Sequence, residues 1–267
     1  MHCELPLSAV LVVAAVLAAV PRALAQVPGA PPAPAPAAQP AAQPAAAQKT
    51  PSALVPAART DKGAIEREQE LLRRAREATP AKVVFVGDSI TQGWEGAGSA
   101  VWRERFQPLG LNLGNSGDRT EHVLWRLQQA PLTRLQPEHV VLLIGTNNLG
   151  HGTSTAAETL AGIEAVVQLL REQVPDAKVH VLEIFPRGET VNPMRGDICQ
   201  INQALRAFAR ATNAAARGTS PHVFVHAIGD AFVDGDGRID KAIMPDFLHL
   251  SPQGYAMWGE ALAPLLQ

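Results

Sequence analysis

The chain has 267 residues, of which 46% are hydrophobic, and a formal net charge of −2. Its basic residues are scattered, so composition and charge argue against binding to nucleic acid or an anionic membrane surface and favour a small or uncharged partner. The cysteines are Cys3 and Cys199, too few for a multi-cysteine metal site.

The N-terminal residues have the pattern of an export signal. Residues 8–20 form an apolar run, SAVLVVAAVLAAV, and Ala23-Leu24-Ala25 has the small-x-small form of a signal-peptidase site. We therefore expect residues 1–25 to be cleaved, the mature protein to be periplasmic or secreted, and no stable membrane span to remain. No Lys or Arg precedes the apolar run, so an uncleaved anchor is the alternative.

Residues 26–58 consist mainly of Pro, Ala and Gln and have almost no bulky side chains. Such a segment cannot bury enough apolar surface to offset the entropy of ordering, so we expect a disordered linker. The remaining residues 59–267, about 200 in number, are enough for one compact domain.

This domain begins with a charge-rich stretch at residues 61–78, which predicts a surface helix with a thin apolar stripe. Short apolar runs then alternate with helical patterns, and strands that are apolar on both faces indicate a parallel sheet covered by helices. Thr155 with Glu158, and Ser251 with Pro252, predict two helix N-termini. The predicted strands are KVVFV, LNLG, HVVLLIG, KVHVLEI and HVFVHAI; helices are expected near 99–106, over TEHVLWRLQQ, at 155–173, near 197–215 and at the C-terminus.

Polar residues follow three of these strands, and a fourth polar cluster precedes the last helix. In open α/β sheets, ligands bind outside the carboxyl ends of the strands, so these clusters are expected to line a site. The clusters are GDSIT (87–91), GNSGD (114–118), GTNN (145–148) and DFLH (246–249).

The four clusters together contain the groups that nucleophilic catalysis requires. A serine hydroxyl needs an imidazole as general base, and the imidazole needs a partner that fixes its tautomer. Ser89, His249 and Asp246 are the candidates for these roles, because Asp246 and His249 are three residues apart. The Ser89 and Gly117 amides and the Asn147 side chain are candidate oxyanion donors.

The same clusters resemble the four sequence blocks of the SGNH (GDSL-type) hydrolases. NLGNSGDRTEHVLWRLQQ and PRGETVNPMR are similar, more narrowly, to the catalytic subunits of intracellular platelet-activating-factor acetylhydrolase. The resemblance implies a three-layer α/β/α sandwich with a flavodoxin-like, five-stranded parallel sheet. It also implies metal-free ester hydrolysis without a cofactor, through an acyl-enzyme on Ser89, with His249 as base and then acid.

The resemblance has two further implications. Ile90, Thr146 and Leu248 match positions that line a small acyl pocket, which favours acetyl esters. The resembling subunits form dimers, so the resemblance leaves both a homodimer and a monomer open. The main interpretation is therefore an exported serine esterase that removes short acyl groups from a small-molecule ester.

Two other functions fit the same residues. A carbohydrate O-acetylesterase acting on polysaccharide or cell wall is favoured by the export signal. A non-catalytic binding module would have no need of an activated hydroxyl, which argues against it.

Three other features remain outside the predicted site. The acidic stretch Asp234–Asp240 is interpreted as a turn rather than a calcium loop, because it offers too few ligands. Trp94, Trp102 and Trp125 are expected to pack in the core or rim, with sugar stacking as the alternative. The remaining histidines are interpreted as surface or strand-end residues: His2, His122, His139, His151, His180, His222 and His226.

Overall fold

The computed structural model describes residues 50–78, 81–107, 109–216 and 222–267. The predicted export signal, residues 1–25, and most of the predicted linker, residues 26–49, lie outside the described residues. They therefore stay predictions.

The central sheet has five strands, all parallel, in the order β2-β1-β3-β4-β5. This is the flavodoxin-like order, in which β2 lies on one side of β1 and the later strands are added on its other side. The strands are β1 (Val83–Gly87), β2 (Gly110–Gly114), β3 (His139–Leu143), β4 (Lys178–Leu182) and β5 (Val223–His226). Each predicted strand is confirmed.

Helices cover both faces of the sheet, as the apolar runs predict. Val84 and Val86 of β1 face a core formed with α1, α4, α6 and α7, whereas Val83 and Phe85 face a core formed with α3 and α8. The helices are α1 (Lys62–Glu77), α2 (Ser89–Gln92), α3 (Ser99–Arg105), α4 (Thr120–Gln129), α5 (Thr146–Gly150), α6 (Ala156–Gln173), α7 (Pro193–Ala215) and α8 (Pro252–Leu262). The protein is thus a three-layer α/β/α sandwich.

The predicted helix caps are present. Thr155 and Glu158 form a reciprocal capping box at α6, and the Ser251 hydroxyl accepts from Gly254 N at 3.2 Å to begin α8. The prediction for α7 begins four residues late, because Asn192 caps that helix and Pro193 occupies its first turn.

The core formed with α3 and α8 contains a cluster of aromatic rings that includes Trp94. The Trp94 ring has no exposed surface and packs against Phe106, Tyr255 and Trp258, with centroids 5.3, 4.7 and 4.6 Å away. Sugar stacking by Trp94 is therefore wrong, and core packing is confirmed for this residue.

Residues 50–58 differ from the linker expected there. They include a 3-10 helix, Ser52–Leu54, and Ala53 has no exposed surface. The Ala53 carbonyl accepts from Thr120 Oγ1 at 2.9 Å, and Ala57 N donates to Glu121 O at 3.1 Å. We call residues 50–58 the strap. Small side chains and backbone hydrogen bonds hold it, so its composition gave no signal of order.

Three histidines form a ladder across β3, β4 and β5. His180 Nε2 lies 2.9 Å from His139 Nδ1, and His180 Nδ1 lies 3.0 Å from His226 Nε2. The His139 and His180 side chains are buried, as is that of His122. The interpretation as surface or strand-end residues is wrong for His122 and His180, because the Arg119 N–H and neighbouring imidazoles satisfy their ring nitrogens inside the fold. It is confirmed for His139 and His226, which begin β3 and end β5.

Candidate active site

The predicted catalytic residues meet at the carboxyl edge of the sheet. Ser89 Oγ lies 2.9 Å from His249 Nε2, and His249 Nδ1 lies 2.7 Å from Asp246 Oδ2. In the tautomer with a proton on Nδ1, the imidazole donates to Asp246 and accepts from Ser89. The geometry matches a nucleophile, a base and an orienting carboxylate.

The turn that presents Ser89 is fixed by the end of β1. Asp88 is the N-cap of α2, and its Oδ1 accepts from Ile90 N at 2.9 Å. A Cβ on Gly87 would lie 2.2 Å from Thr91 Oγ1 and 2.3 Å from Leu143 O, so only glycine fits there. Ser89 is therefore the first residue of α2, with its hydroxyl at the open edge of the sheet.

Asp88 is itself an unusual carboxyl. It has no exposed surface, and its Oδ2 has no hydrogen-bond partner in the described part of the chain. Burial raises the pKa of Asp88 to about 7, although the Ile90 N–H opposes the shift. Sequence inspection treated this residue only as part of the turn.

Asp246 is held in its ionised form. Burial acts to raise the pKa of Asp246, but hydrogen bonds from the His249 ring and from the His249 and Leu248 N–H groups outweigh it and lower the pKa below its usual value. Phe247, between them, has a φ of 59°, which turns the chain tightly enough for the carboxylate to face the imidazole. An ionised Asp246 favours the tautomer that leaves Nε2 free for Ser89.

The candidate oxyanion donors follow three neighbouring strands: Ser89 begins α2, Gly117 lies in the loop after β2, and Asn147 lies in α5. Gly117 has a φ of +76°, and neither its N–H nor that of Ser89 donates a hydrogen bond within the described ranges. Asn147 Nδ2 donates to Asp118 O at 2.9 Å, which ties the amide to the loop of Gly117 and leaves a second N–H hydrogen. Donors fixed in advance in this way are suited to a developing negative charge.

The predicted acyl-pocket residues are unequally accessible. Ile90 is 1% exposed and Thr146 is 4% exposed, whereas Leu248 is half-buried. Ile90 therefore lies mainly in the core beneath Ser89. The small acyl pocket stays a prediction.

Sequence inspection missed Arg187. Its Nη1 donates to the carbonyl and the hydroxyl of Thr146, at 3.2 and 3.1 Å. Burial lowers the pKa of this guanidinium from its usual value, while the charges of Asp88 and Asp246 act to raise it. Arg187 thus connects the loop after β4 to the start of α5, next to Asn147, and its only sequence signal was its place in the loop that follows a predicted strand.

A polar groove begins at Ser89. It consists of a cavity of about 400 Å³ and an adjoining one of about 360 Å³, which share Gln92 and Ser116. Ser116 N donates to Gln92 Oε1 at 2.8 Å across the groove. Glycines and charged or polar side chains form its walls: Arg59, Asp61, Arg67, Glu95, Gly93, Gly96 and Gly117.

Within the described residues, no cluster of three or more His, Cys, Asp or Glu side chains could hold a metal ion. Asp234 Oδ1 accepts from the Asp236 and Arg238 N–H groups, as expected of a turn. In the same ranges, no helix is long and apolar enough to span a bilayer.

The α/β/α fold and a candidate site at the carboxyl edge of its sheet are those of a hydrolase, and comparison with known proteins gives its family. Residues 85–257 match the GDSL-like lipase/acylhydrolase family. The chain is 42% identical over 186 residues to platelet-activating factor acetylhydrolase IB subunit alpha1 of Homo sapiens, covering 69% of this chain and 75% of that one. It is also 42% identical over 176 residues to platelet-activating factor acetylhydrolase IB subunit alpha2 of Rattus norvegicus, covering 65% of this chain and 71% of that one. The chain belongs to the GDSL-like lipase/acylhydrolase family and is a carboxylic ester hydrolase.

Solved structures with the same fold include a GDSL-like lipase and an acetyl xylan esterase. A GDSL-like lipase from Bacteroides thetaiotaomicron VPI-5482 superposes with a TM-score of 0.60 at 20% identity, covering 74% of this chain and 96% of that one. An acetyl xylan esterase superposes with a TM-score of 0.53 at 21% identity, covering 69% and 99%. These identities support the fold alone.

Proposed function

We propose that the protein hydrolyses esters of short acyl groups, above all acetyl, through an acyl-enzyme on Ser89. The 2.9 Å contact between Ser89 Oγ and His249 Nε2 supports this most directly. The similarity to platelet-activating factor acetylhydrolase subunits supports acetyl as the acyl group.

The reaction follows from the roles of the site residues. His249 accepts the Ser89 proton as Oγ attacks the ester carbonyl, and Asp246 stabilises the imidazolium that forms. The N–H groups of Ser89, Gly117 and Asn147 stabilise the oxyanion. His249 then protonates the leaving alcohol. Water attacks the acyl-enzyme with His249 again as base, the bond from Ser89 Oγ to the acyl carbon breaks, and the carboxylic acid leaves as His249 returns the proton to Ser89 Oγ.

The polar groove favours a hydrophilic alcohol as the leaving group. Among the described residues, the groove has no aromatic or branched apolar lining, so a long alkyl chain would gain little from binding there. Hydroxyl-rich alcohols such as sugars would instead find hydrogen-bonding partners in Gln92, Glu95 and Ser116. A carbohydrate O-acetylesterase is accordingly the second candidate function.

We further propose that the mature protein is exported, on the basis of the apolar run at residues 8–20 and Ala23-Leu24-Ala25. The N-terminal sequence of the protein recovered from cells tests this directly. A first residue at position 26 supports cleavage, and an intact Met1 contradicts it.

The test of the activity compares wild type, Ser89→Ala and the control Ser99→Ala on p-nitrophenyl acetate. In Ser89→Ala, kcat should fall at least ~10³-fold while the free energy of unfolding stays unchanged. The reason is that no other serine in the described residues is hydrogen-bonded to His249. Ser99→Ala should keep wild-type activity, since its side chain makes no described hydrogen bond at the site. Full turnover by Ser89→Ala would overturn the assignment.

A substrate panel separates the two candidates. Acetylated sugars and an acetylated glycerophospholipid should both be tested against p-nitrophenyl acetate and hexanoate. Faster cleavage of the sugars than of the phospholipid supports the carbohydrate function, and the reverse order favours the lipid. Faster cleavage of hexanoate than of acetate would contradict a small acyl pocket.

A further inference from the structure

Arg59 hydrogen-bonds to the loop that carries Gly117, the candidate oxyanion glycine. Its Nη1 donates to Ser116 O and to Asp118 Oδ1, both at 2.8 Å, so one nitrogen bonds the residues on either side of Gly117. The guanidinium also lies against the glycine, because a Cβ on Gly117 would be 3.2 Å from Nη2.

The guanidinium is fixed from its other side as well. Its Nε and Nη2 donate to Asp61 Oδ2 at 3.2 and 2.7 Å, and Asp61 caps the start of α1 by accepting from Ala64 N. The strap precedes Arg59 and is held to α4 through Ala53 and Ala57. Arg59 therefore has little freedom, and only 13% of its side chain is exposed.

Asp118 links the residues held by Arg59 to Asn147, the second candidate oxyanion donor. Its carboxylate has no exposed surface and lies between Arg59 and Arg126. Its carbonyl accepts from Asn147 Nδ2 at 2.9 Å. A shift of Asp118 would therefore turn the Asn147 amide as well as the Gly117 N–H.

We propose that Arg59 is a positioning residue that preorganises the Gly117 and Asn147 oxyanion donors. This inference rests on the function proposed above. A glycine loop samples many backbone conformations unless it is held, and donors contribute most to rate when they are oriented before the reaction. Loss of the Arg59 hydrogen bonds should therefore destabilise the transition state more than it weakens substrate binding.

The experiment measures kcat and KM of the full-length variants Arg59→Ala and Arg59→Lys on p-nitrophenyl acetate. The matched control is Arg206→Ala, which also removes a guanidinium from a buried carboxylate, that of Glu183, outside the groove and the oxyanion loops. Rates are normalised to active sites by burst titration of the acyl-enzyme, so that misfolded protein does not count.

We expect kcat per active site to fall ~10–100-fold in Arg59→Ala, with KM changed less than ~3-fold, since one full oxyanion donor contributes ~10²–10³-fold. Arg59→Lys should lose less, because an ammonium can reach one flank of Gly117 but lacks the planar fork. Added guanidinium ion should partly restore Arg59→Ala. Arg206→Ala should keep wild-type kcat.

The outcomes separate this inference from the proposed function. Wild-type kcat per active site in Arg59→Ala, with Ser89→Ala inactive, would overturn the role of Arg59 alone. Full activity in Ser89→Ala would overturn the proposed function itself. An equal loss of kcat in Arg206→Ala would show a general effect of losing an ion pair and would also count against positioning.

Discussion

Tyr255 Oη donates to the carbonyl oxygen of Ile90 at 2.7 Å, and both residues are buried. This bond joins α8, which follows His249, to α2, which begins with Ser89. The phenol is closely fitted, because a Cβ on Gly93 would lie 1.9 Å from its oxygen. Ser89 and His249 are thus connected through the core as well as across the open edge of the sheet.

Tyr255→Phe should lower the free energy of unfolding by about 1–3 kcal/mol, since the Ile90 carbonyl would stay buried without a partner. Urea denaturation measures this change through a lower midpoint at a constant slope. The activity per folded molecule should fall by less than the Ser89→Ala loss. A midpoint equal to that of wild type would show that the bond contributes nothing to stability.

Asp88 should make the protein less stable as the pH rises from about 4 to about 7. The pKa of the folded-state carboxyl is raised to about 7, so in this window the unfolded chain has released a proton that the folded chain retains. One such group contributes a slope of at most about 1.4 kcal/mol per pH unit. Asp88→Asn should remove that slope, and unfolding measured at several pH values checks it. Parallel profiles for wild type and variant would contradict the raised pKa.

The histidine ladder should act in the opposite direction. Burial lowers the pKa of His180 to about 3, so below about pH 6.5 the unfolded chain takes up a proton that the folded chain excludes. Stability should therefore fall as the pH falls from 7, by about 2 kcal/mol at pH 5 from this group. His180→Gln should flatten the acid side of the profile.

The pH dependences of stability due to Asp88 and to His180 have opposite signs. The informative measurement is therefore the difference in the free energy of unfolding between each variant and wild type at each pH. His222→Gln is a suitable control for the ladder, since His222 lies outside it. An acid slope in His180→Gln as steep as in wild type would contradict a neutral, buried His180.

Sequence reasoning reached the strands, the helix caps and the four polar clusters for identifiable reasons. Buried parallel strands are continuous apolar runs, and Thr155 and Ser251 leave local signals. The contact of Ser89 with His249 spans 160 positions. Ser89 could be predicted from its place at the carboxyl end of a strand, and His249 from its three-residue spacing to Asp246.

Other features have no local signal. Arg59 and Asp118 pair over 59 positions, and nothing in the Pro- and Ala-rich composition before Arg59 marks it as fixed. Similarly, His139, His180 and His226 are each unremarkable in their own strands. Only the register of neighbouring strands brings their rings together.

The strap also bears on where the folded unit starts. A Cβ on Gly162 of α6 would lie 2.9 Å from the Ala53 carbonyl, so the glycine forms a notch that residue 53 fills. A chain trimmed to begin at residue 59 would open that notch to water and leave the Thr120 hydroxyl without the Ala53 acceptor. Amino-acid composition would therefore place the boundary of this enzyme inside its fold, directly before the residue whose guanidinium contacts its glycine loop.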